Sequence, residues 1–213
     1  MPVLHGFKGS PPCRAALLAG KAVGVDLELR VVNIMAGENR TPEYLEMNPR
    51  HTIPVLDDDG FYLSESRAIM CYLVDKYGAD DDQLLPKDPQ QRAGVLEKLM
   101  FDQDLWARVL GHYTFAWIFL GGEKDESKLQ AVHDAFGFLD KYLESSDWVA
   151  GDNMTLADLA LAVTVNQTET AFGYSLEPYP NITRWLETCK SDIPGFEDIE
   201  MDGLAVFREL TGK

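Results

Sequence analysis

The stretch of sequence that decides the fold runs from Arg50 to Arg67: Arg-His-Thr-Ile-Pro-Val-Leu-Asp-Asp-Asp-Gly-Phe-Tyr-Leu-Ser-Glu-Ser-Arg. Ile53–Leu56 is predicted to be a short strand, and Phe61–Leu63 is predicted to be the strand that returns beside it. Asp58–Gly60 between them is typical of a hairpin turn, because Asp and Gly tolerate the left-handed backbone that such a turn requires. A helix then begins at position 64 or 65. Its unpaired N–H groups and partial positive charge can hold a carboxylate.

Pro54 within this stretch is open to two interpretations. Most X–Pro bonds are trans, so the proline alone favours an ordinary hairpin that leads into a helix. If the Ile53–Pro54 bond is cis, the chain turns sharply and Ile53 presents its N–H and C=O groups outward. Those groups can then pair with the backbone of a bound peptide, as an added strand would.

The first 78 residues are predicted to form an α/β domain. Strands and helices follow in the order strand, helix, strand, helix, strand, strand, helix, which indicates a mixed sheet flanked by helices. The predicted elements before Arg50 are a strand at 2–7, a helix at 13–23, a strand within 25–34 and a helix at 42–47 that Thr41 caps.

The rest of the chain is predicted to be helical, after an acidic, proline-containing linker at 79–89. A long helix at 90–120 carries aromatic residues that are typical of a core. Thr155 and Asp158 have capping-box spacing before a nearly all-apolar helix at 156–165. Further helices are expected at 127–143, 180–190 and 197–210, so residues 90–213 form an all-helical domain.

Composition excludes several classes of function. The formal net charge is −16, which argues against nucleic acid or an anionic membrane as the main partner. No signal peptide or membrane-spanning run is expected. The three cysteines, Cys13, Cys71 and Cys189, are widely spaced and odd in number, as in proteins of the reducing cytoplasm. No cluster of metal ligands is present in the sequence.

The first strand-to-helix loop contains Ser10-Pro11-Pro12-Cys13, where a thioredoxin-like redox domain has C-x-x-C. Ser10 cannot form a disulfide, but its hydroxyl can donate a hydrogen bond to a bound thiolate and lower the pKa of that thiol. In isolation, a plain helix cap is the simpler interpretation of Ser10. Cys13 is interpreted as a buried small residue, with a reactive thiol as the alternative.

Four other side chains are candidates for ligand binding. His51 either hydrogen-bonds a ligand carboxylate or lies at the surface. Glu65 can bind an ammonium group while Ser66 and its N–H hold the neighbouring carboxylate, and the alternative is ordinary cap chemistry. Arg67 adds positive charge, holds Glu65 in place or is a surface charge.

Taken together, these residues resemble the cytosolic glutathione transferases, most closely the insect delta and epsilon classes. The resemblance covers essentially the whole chain. It rests on segments 9–15, 48–56, 65–69, 72–77 and 155–159, which are weakly specific alone and strong evidence in this order and spacing.

The resemblance implies a thioredoxin-like first domain with a four-stranded mixed sheet, a helical second domain, a cytoplasmic homodimer and a role in detoxification. The enzyme would join glutathione, a co-substrate, to small apolar electrophiles without a tightly bound cofactor or a metal. Ser10 would stabilise the glutathione thiolate. The tripeptide would be bound by His51, Ile53 beside cis-Pro54, Glu65, Ser66, Arg67 and Asn39. The electrophile pocket would draw on Pro12, Ile34, Trp106, Val109, Phe115, Phe119 and Phe207.

Two positions depart from the family pattern. Asn39 stands where relatives often have His, so it can hydrogen-bond the glycyl carboxylate but carries no positive charge. Lys8 stands where many relatives have Pro, and it is a candidate for replacing that charge. Two other functions stay open at this point: a non-catalytic carrier of hydrophobic ligands, and a thiol oxidoreductase that works through Cys13.

Overall fold

The computed structural model describes residues 1–80 and 82–212. The chain divides into two compact units. The first contains Met1–Asp82 and Ile193–Phe207, and the second contains Gln83–Asp192 and Arg208–Lys213. No helix within the described residues is both long enough and apolar enough to cross a membrane.

The first unit is built on a four-stranded sheet with strand order β2-β1-β3-β4. Its strands are β1 (Val3–Gly6), β2 (Glu28–Val31), β3 (Val55–Asp58) and β4 (Phe61–Ser64). β1 runs parallel to β2 and antiparallel to β3, and β3 and β4 form the predicted hairpin. Its first strand begins at Val55, later than the predicted Ile53, and Asp58 pairs with Phe61, so the turn is Asp59–Gly60 and not Asp58–Gly60. The prediction of a mixed four-stranded sheet is confirmed.

Three α-helices accompany this sheet: α1 (Pro11–Ala22), α2 (Pro42–Met47) and α3 (Ser66–Tyr77). Proline occupies the first turn of α1 and of α2, where a missing N–H costs little. The Thr41 hydroxyl accepts a hydrogen bond from the Tyr44 N–H and so caps α2, as the sequence predicts. A short 3₁₀ helix at Glu38–Arg40 precedes α2.

The buried carboxylate of Asp58 connects the β3–β4 hairpin to α3 through hydrogen bonds. Asp58 accepts hydrogen bonds from Lys76 Nζ at 2.6 Å, Tyr72 Oη at 2.8 Å and Tyr77 Oη at 2.8 Å. Burial alone would raise the pKa of Asp58, but these three donors outweigh that effect and lower the pKa below its ordinary value. The hairpin therefore has a fixed position relative to the helix that begins immediately after it.

The second unit is helical. Its helices are α4 (Pro89–Trp106), α5 (Phe115–Phe119), α6 (Leu129–Tyr142), α7 (Leu156–Thr170) and α8 (Pro180–Asp192), while α9 (Phe196–Thr211) begins in the first unit and ends in the second. α7 is buried from Leu156 to Thr168 and forms the centre of this unit. Thr155 and Asp158 form the predicted capping box. Asp158 also accepts hydrogen bonds from the Val149 N–H at 2.9 Å and from Trp185 Nε1 at 3.0 Å.

The helix predicted to be continuous over 90–120 is interrupted. Between α4 and α5, residues Ala107–Thr114 form a π-helix. The Thr114 hydroxyl donates to the carbonyl of Val109, five residues earlier, at 2.9 Å. Hydrophobic spacing did not reveal this change, because the apolar stripe continues through the widened turns.

The predicted linker at 79–89 is anchored to the second unit over part of its length, and Asp81 within it lies outside the described residues. Leu84 and Leu85 are 7% and 3% exposed, and the Leu84 carbonyl accepts the Leu156 N–H at 2.9 Å. Asp88 caps α4 through Oδ1, which lies 3.0 Å from the N atoms of Gln90 and Gln91.

Candidate active site

Ser10 occupies the N-cap position of α1. Its N–H donates to the Phe7 carbonyl at 3.1 Å, and its own carbonyl accepts the N–H groups of Cys13 and Arg14 at 3.0 and 3.1 Å. The hydroxyl, however, accepts no hydrogen bond from the first turn of α1, all of which lies in the described part of the chain. The plain helix cap is therefore not the role of this side chain.

Cys13, in the first turn of α1, is fully buried. Burial raises the pKa of the Cys13 thiol to about 11. Interactions with the Ser10 side chain and the Phe7 backbone, and the positive charge of Arg14, oppose this increase without cancelling it. A protonated, inaccessible thiol is a poor nucleophile. The structure therefore favours the interpretation of Cys13 as a core residue and disfavours an oxidoreductase that works through it.

The Ile53–Pro54 peptide bond is cis. Ile53 packs against a small core cluster of Val32, Tyr44 and Val55. Within residues 1–80 and 82–212, neither its N–H nor its carbonyl group has a hydrogen-bond partner. Ile53 therefore keeps the pair of backbone groups that an added peptide strand would need.

The Pro54 edge and the first turn of α1 meet at Gly6. A Cβ atom at Gly6 would lie 2.6 Å from Cys13 Sγ and 3.7 Å from Pro54 Cβ, so a larger residue does not fit here. The Ser10 loop and the Ile53–Pro54 edge are thus neighbours, although they are more than forty residues apart in the sequence.

The N-terminus of α3 is the third part of the site. Glu65 precedes it with φ +70° and ψ 106°, a region that non-glycine residues rarely adopt. Glu65 is exposed and forms an ion pair with Arg50. Ser66 is buried, and its Oγ accepts a hydrogen bond from Arg67 Nη1 at 3.0 Å. Arg67 is only 8% exposed, so it is not the surface charge that one interpretation of the sequence suggested.

His51 and Asn39 are joined through the backbone. Asn39 Nδ2 donates to the His51 carbonyl at 2.6 Å, and the buried Asn39 Oδ1 has no partner among the described residues. His51 itself is half-buried and has φ +47°. Asn39 thus holds the backbone of His51, and a direct contact between Asn39 and a ligand stays a prediction.

The residues predicted for the electrophile pocket divide between the two units. Pro12, Ile34 and Phe207 belong to the first, and Trp106, Val109, Phe115 and Phe119 belong to the second. Val109 is fully buried, Phe115 is 45% exposed, and the Phe115 and Phe119 rings are in contact, with centroids 5.1 Å apart. This part of the site stays a prediction.

Three features of the site were not found from the sequence. Arg50 is the cation that pairs with Glu65, and Lys8 pairs with Asp202 at 2.6 Å. Arg14 pairs with Glu200 at 2.6 Å across 186 positions of sequence. The run of hydrophobic and charged residues in α9 predicts a helix, but no local signal indicates which of its acidic residues is buried.

Comparison with known proteins matches both units to one family. Residues 4–93 match the family model described as "Glutathione S-transferase, N-terminal domain", and residues 107–192 match "Glutathione S-transferase, C-terminal domain". A curated relative, glutathione S-transferase D7 of Anopheles gambiae, is 45% identical over 91% of this chain and 88% of its own length.

Solved structures give the same result. A delta-class glutathione transferase of Nilaparvata lugens superposes with a TM-score of 0.93 at 44% identity, covering 100% of this chain and 99% of its own. A glutathione transferase homologue from Drosophila mojavensis, solved with bound glutathione, has a TM-score of 0.88 at 30% identity, covering 99% and 96% of the two chains.

Proposed function

The chain belongs to the glutathione S-transferase family and is a glutathione transferase, and on that premise we propose how its residues divide the work. The co-substrate is glutathione, and the acceptor is a small apolar electrophile with an alkyl or aryl group. The thiolate sulfur of glutathione attacks the electrophilic carbon, the leaving group departs with the bonding electrons, and a thioether forms. Ser10 stabilises the thiolate. The biological outcome is detoxification.

The position of the Ser10 hydroxyl is the observation that carries this proposal. The hydroxyl lies at the N-terminus of α1 and does not cap the helix. Beside it, burial raises the pKa of the Cys13 thiol and keeps that thiol protonated. A neutral thiol is a weak hydrogen-bond acceptor, whereas a thiolate is a strong one. When glutathione is bound, the hydroxyl therefore turns to the ligand sulfur and lowers the pKa of its thiol.

The remaining site residues orient the tripeptide. Ile53 pairs with the cysteinyl backbone through the two groups described above. The N-terminus of α3 and Ser66 bind the γ-glutamyl carboxylate, which the helix dipole favours. Glu65 binds the neighbouring ammonium group.

The other polar residues complete the tripeptide site. His51 contacts the glycyl carboxylate, Asn39 supports His51 and contacts the same end of the ligand, and Arg67 holds Ser66 in place. The electrophile is held by the seven apolar and aromatic residues predicted above.

We also propose a cytoplasmic homodimer. Large apolar side chains are exposed on the single chain, among them Phe61 at 49%, Met100 at 60% and Phe138 at 54%. Exposed apolar surface of this kind is costly in a monomer. Sedimentation at micromolar concentration tests the assembly, and a monomer there would exclude it.

The test of the mechanism is conjugation of glutathione to 1-chloro-2,4-dinitrobenzene, followed by absorbance, in wild type and Ser10→Ala. We expect kcat to fall by about a hundredfold in the variant, the usual cost of one donor to a developing charge, while glutathione affinity is kept. Ser191→Ala, in α8, is the matched control and should conjugate like wild type. Wild-type rates in Ser10→Ala would refute the assignment of Ser10. Dye binding without any conjugation in wild type would favour a carrier.

A further inference from the structure

The C-terminal segment Ile193–Phe207 groups with the first 82 residues rather than with the helices that precede it. This differs from the predicted domain boundary, which placed the whole segment with the helical domain. The physical reason lies in four contacts that the segment makes with the loop and helix that carry Ser10.

The central contact is a buried ion pair. Arg14 Nε lies 2.6 Å from Glu200 Oε1, and Arg14 Nη2 lies 3.4 Å from Glu200 Oε2. The two side chains are 0% and 4% exposed. Because a buried guanidinium is costly unless it is paired, Glu200 determines where the Arg14 side chain can lie.

Arg14 also makes two hydrogen bonds to the backbone around Ser10. Its backbone N–H donates to the Ser10 carbonyl at 3.1 Å, and its Nη1 donates to the Lys8 carbonyl at 3.0 Å. Arg14 therefore binds the carbonyl groups of both Ser10 and Lys8, and so contacts the backbone on either side of the Ser10 side chain. The course of the backbone at Ser10 therefore depends on where Glu200 holds the guanidinium.

The backbone of α9 packs tightly against this loop, and at Gly203 it approaches too closely for any side chain. A Cβ at Gly203 would lie 2.2 Å from Arg14 Cδ and 2.7 Å from the Lys8 carbonyl oxygen. A Cβ at Gly9 would lie 3.2 Å from the backbone N and Cα of Phe207. An ion pair between Lys8 and Asp202, at 2.6 Å, lies at the exposed edge of the same contact.

We propose that Arg14 and Glu200 are positioning residues for the Ser10 hydroxyl, so that α9 sets the acidity of the glutathione thiol without touching glutathione. This inference rests on the proposed role of Ser10. A hydroxyl that stabilises a thiolate must be held to within a few tenths of an ångström, and a misplacement of about 1 Å can cost about a hundredfold in rate.

The test is a pH titration of the ultraviolet absorbance of the thiolate at saturating glutathione, in the full-length protein. In Glu200→Gln, which keeps the shape of the side chain, we expect the thiol pKa to rise by about one unit. Below the pKa this is about a tenfold smaller thiolate fraction. We expect kcat to fall with it at low pH and to recover at high pH.

A double variant separates positioning from simple stabilisation of the fold. If Glu200 acts through Ser10, Glu200→Gln adds nothing to the thiol pKa of Ser10→Ala, because the hydroxyl that it positions is already gone. The same increase in both backgrounds would overturn the proposal, and so would an unchanged pKa with only a lower melting temperature. If Ser10→Ala itself leaves the pKa unchanged, the proposed role of Ser10 fails first.

Two further variants keep the experiment decisive. Arg14→Lys keeps a positive charge beside Glu200 but loses the fork that also reaches the Lys8 carbonyl, so it should raise the thiol pKa even if Glu200→Gln does not fold. Trp185→Phe removes a buried hydrogen bond to Asp158 in the second unit. It should lower the melting temperature and leave the thiol pKa unchanged, and a pKa shift in this control would count against positioning by α9.

Discussion

Replacement of Asp58 by Asn tests how the β3–β4 hairpin is held against α3. The Asp58 carboxylate is buried at 6% exposure and receives three donors from α3. The asparagine side chain would keep one acceptor oxygen, lose the negative charge and turn an N–H₂ group toward groups that are themselves donors. The change is nearly isosteric, so its effect is electrostatic rather than a matter of packing.

The expected loss of stability follows from these contacts. Hydrogen bonds that involve a charged group contribute about 1.5–3 kcal/mol each, and an unsatisfied buried donor costs about 1–3 kcal/mol. Because one bond to the retained oxygen survives, we expect a net loss of about 3 kcal/mol in the free energy of unfolding. For a chain of this size that corresponds to a melting temperature lower by about 6–12 °C.

The assay is thermal and urea unfolding, with Asp59→Asn as the matched control. Asp59 lies at the exposed tip of the same hairpin with φ +55°, a conformation that Asn also tolerates. The control removes the same charge and should stay near wild type. A loss below about 1 kcal/mol in Asp58→Asn, close to the range of ordinary surface changes, would refute the reasoning.

The pH dependence of Asp58 has a definite sign. Its pKa is lowered in the folded protein, so the unfolded chain binds the proton first as the pH falls. The carboxylate therefore stabilises the fold above its ordinary pKa, and this contribution is lost as the pH falls through the lowered value. Wild type should lose stability in acid more steeply than Asp58→Asn.

Three further outcomes are expected. Asp158→Ala should lower the free energy of unfolding by about 3 kcal/mol or more, because buried donors including Trp185 Nε1 lose their acceptor, and a near wild-type urea midpoint would contradict this. Cys13→Ala should keep both the conjugation rate and the thiol pKa of bound glutathione, since the buried Cys13 thiol has a pKa of about 11; a large loss of activity would revive the oxidoreductase. Burial and the charge of Arg30 lower the pKa of His5, so stability should fall as the pH drops below about 6.5, and His5→Gln should remove that part of the slope.

Local signals in the sequence were sufficient for most of the fold. The Asp59–Gly60 turn, the Thr41–Pro42 start of α2 and the Thr155–Asp158 capping box each fix the end of an element through interactions within four residues. The mixed sheet followed from the succession of these elements. The family was predicted from many such short segments in a fixed order, and the comparisons confirm it.

The parts that sequence did not predict depend on contacts between distant residues. Glu65 has a positive φ at the junction between β4 and α3, and nothing in the residue type indicates it. The sequence of Ala107–Thr114 has the apolar spacing of an α-helix, although the segment forms a π-helix. Asn39 Nδ2 donates to the His51 carbonyl, a contact that depends on how residue 51 is folded and that no local pattern indicates.

The distance along the chain between Arg14 and its partner has a consequence for biosynthesis. Glu200 is translated 186 residues after Arg14. At about 5–20 residues per second, roughly 10–40 s pass between the two. The last strand of the sheet ends at Ser64, so for most of that time all four strands have been translated but the guanidinium has no counterion. This unit therefore reaches its final structure only after Glu200 has been translated, long after the strands of its sheet.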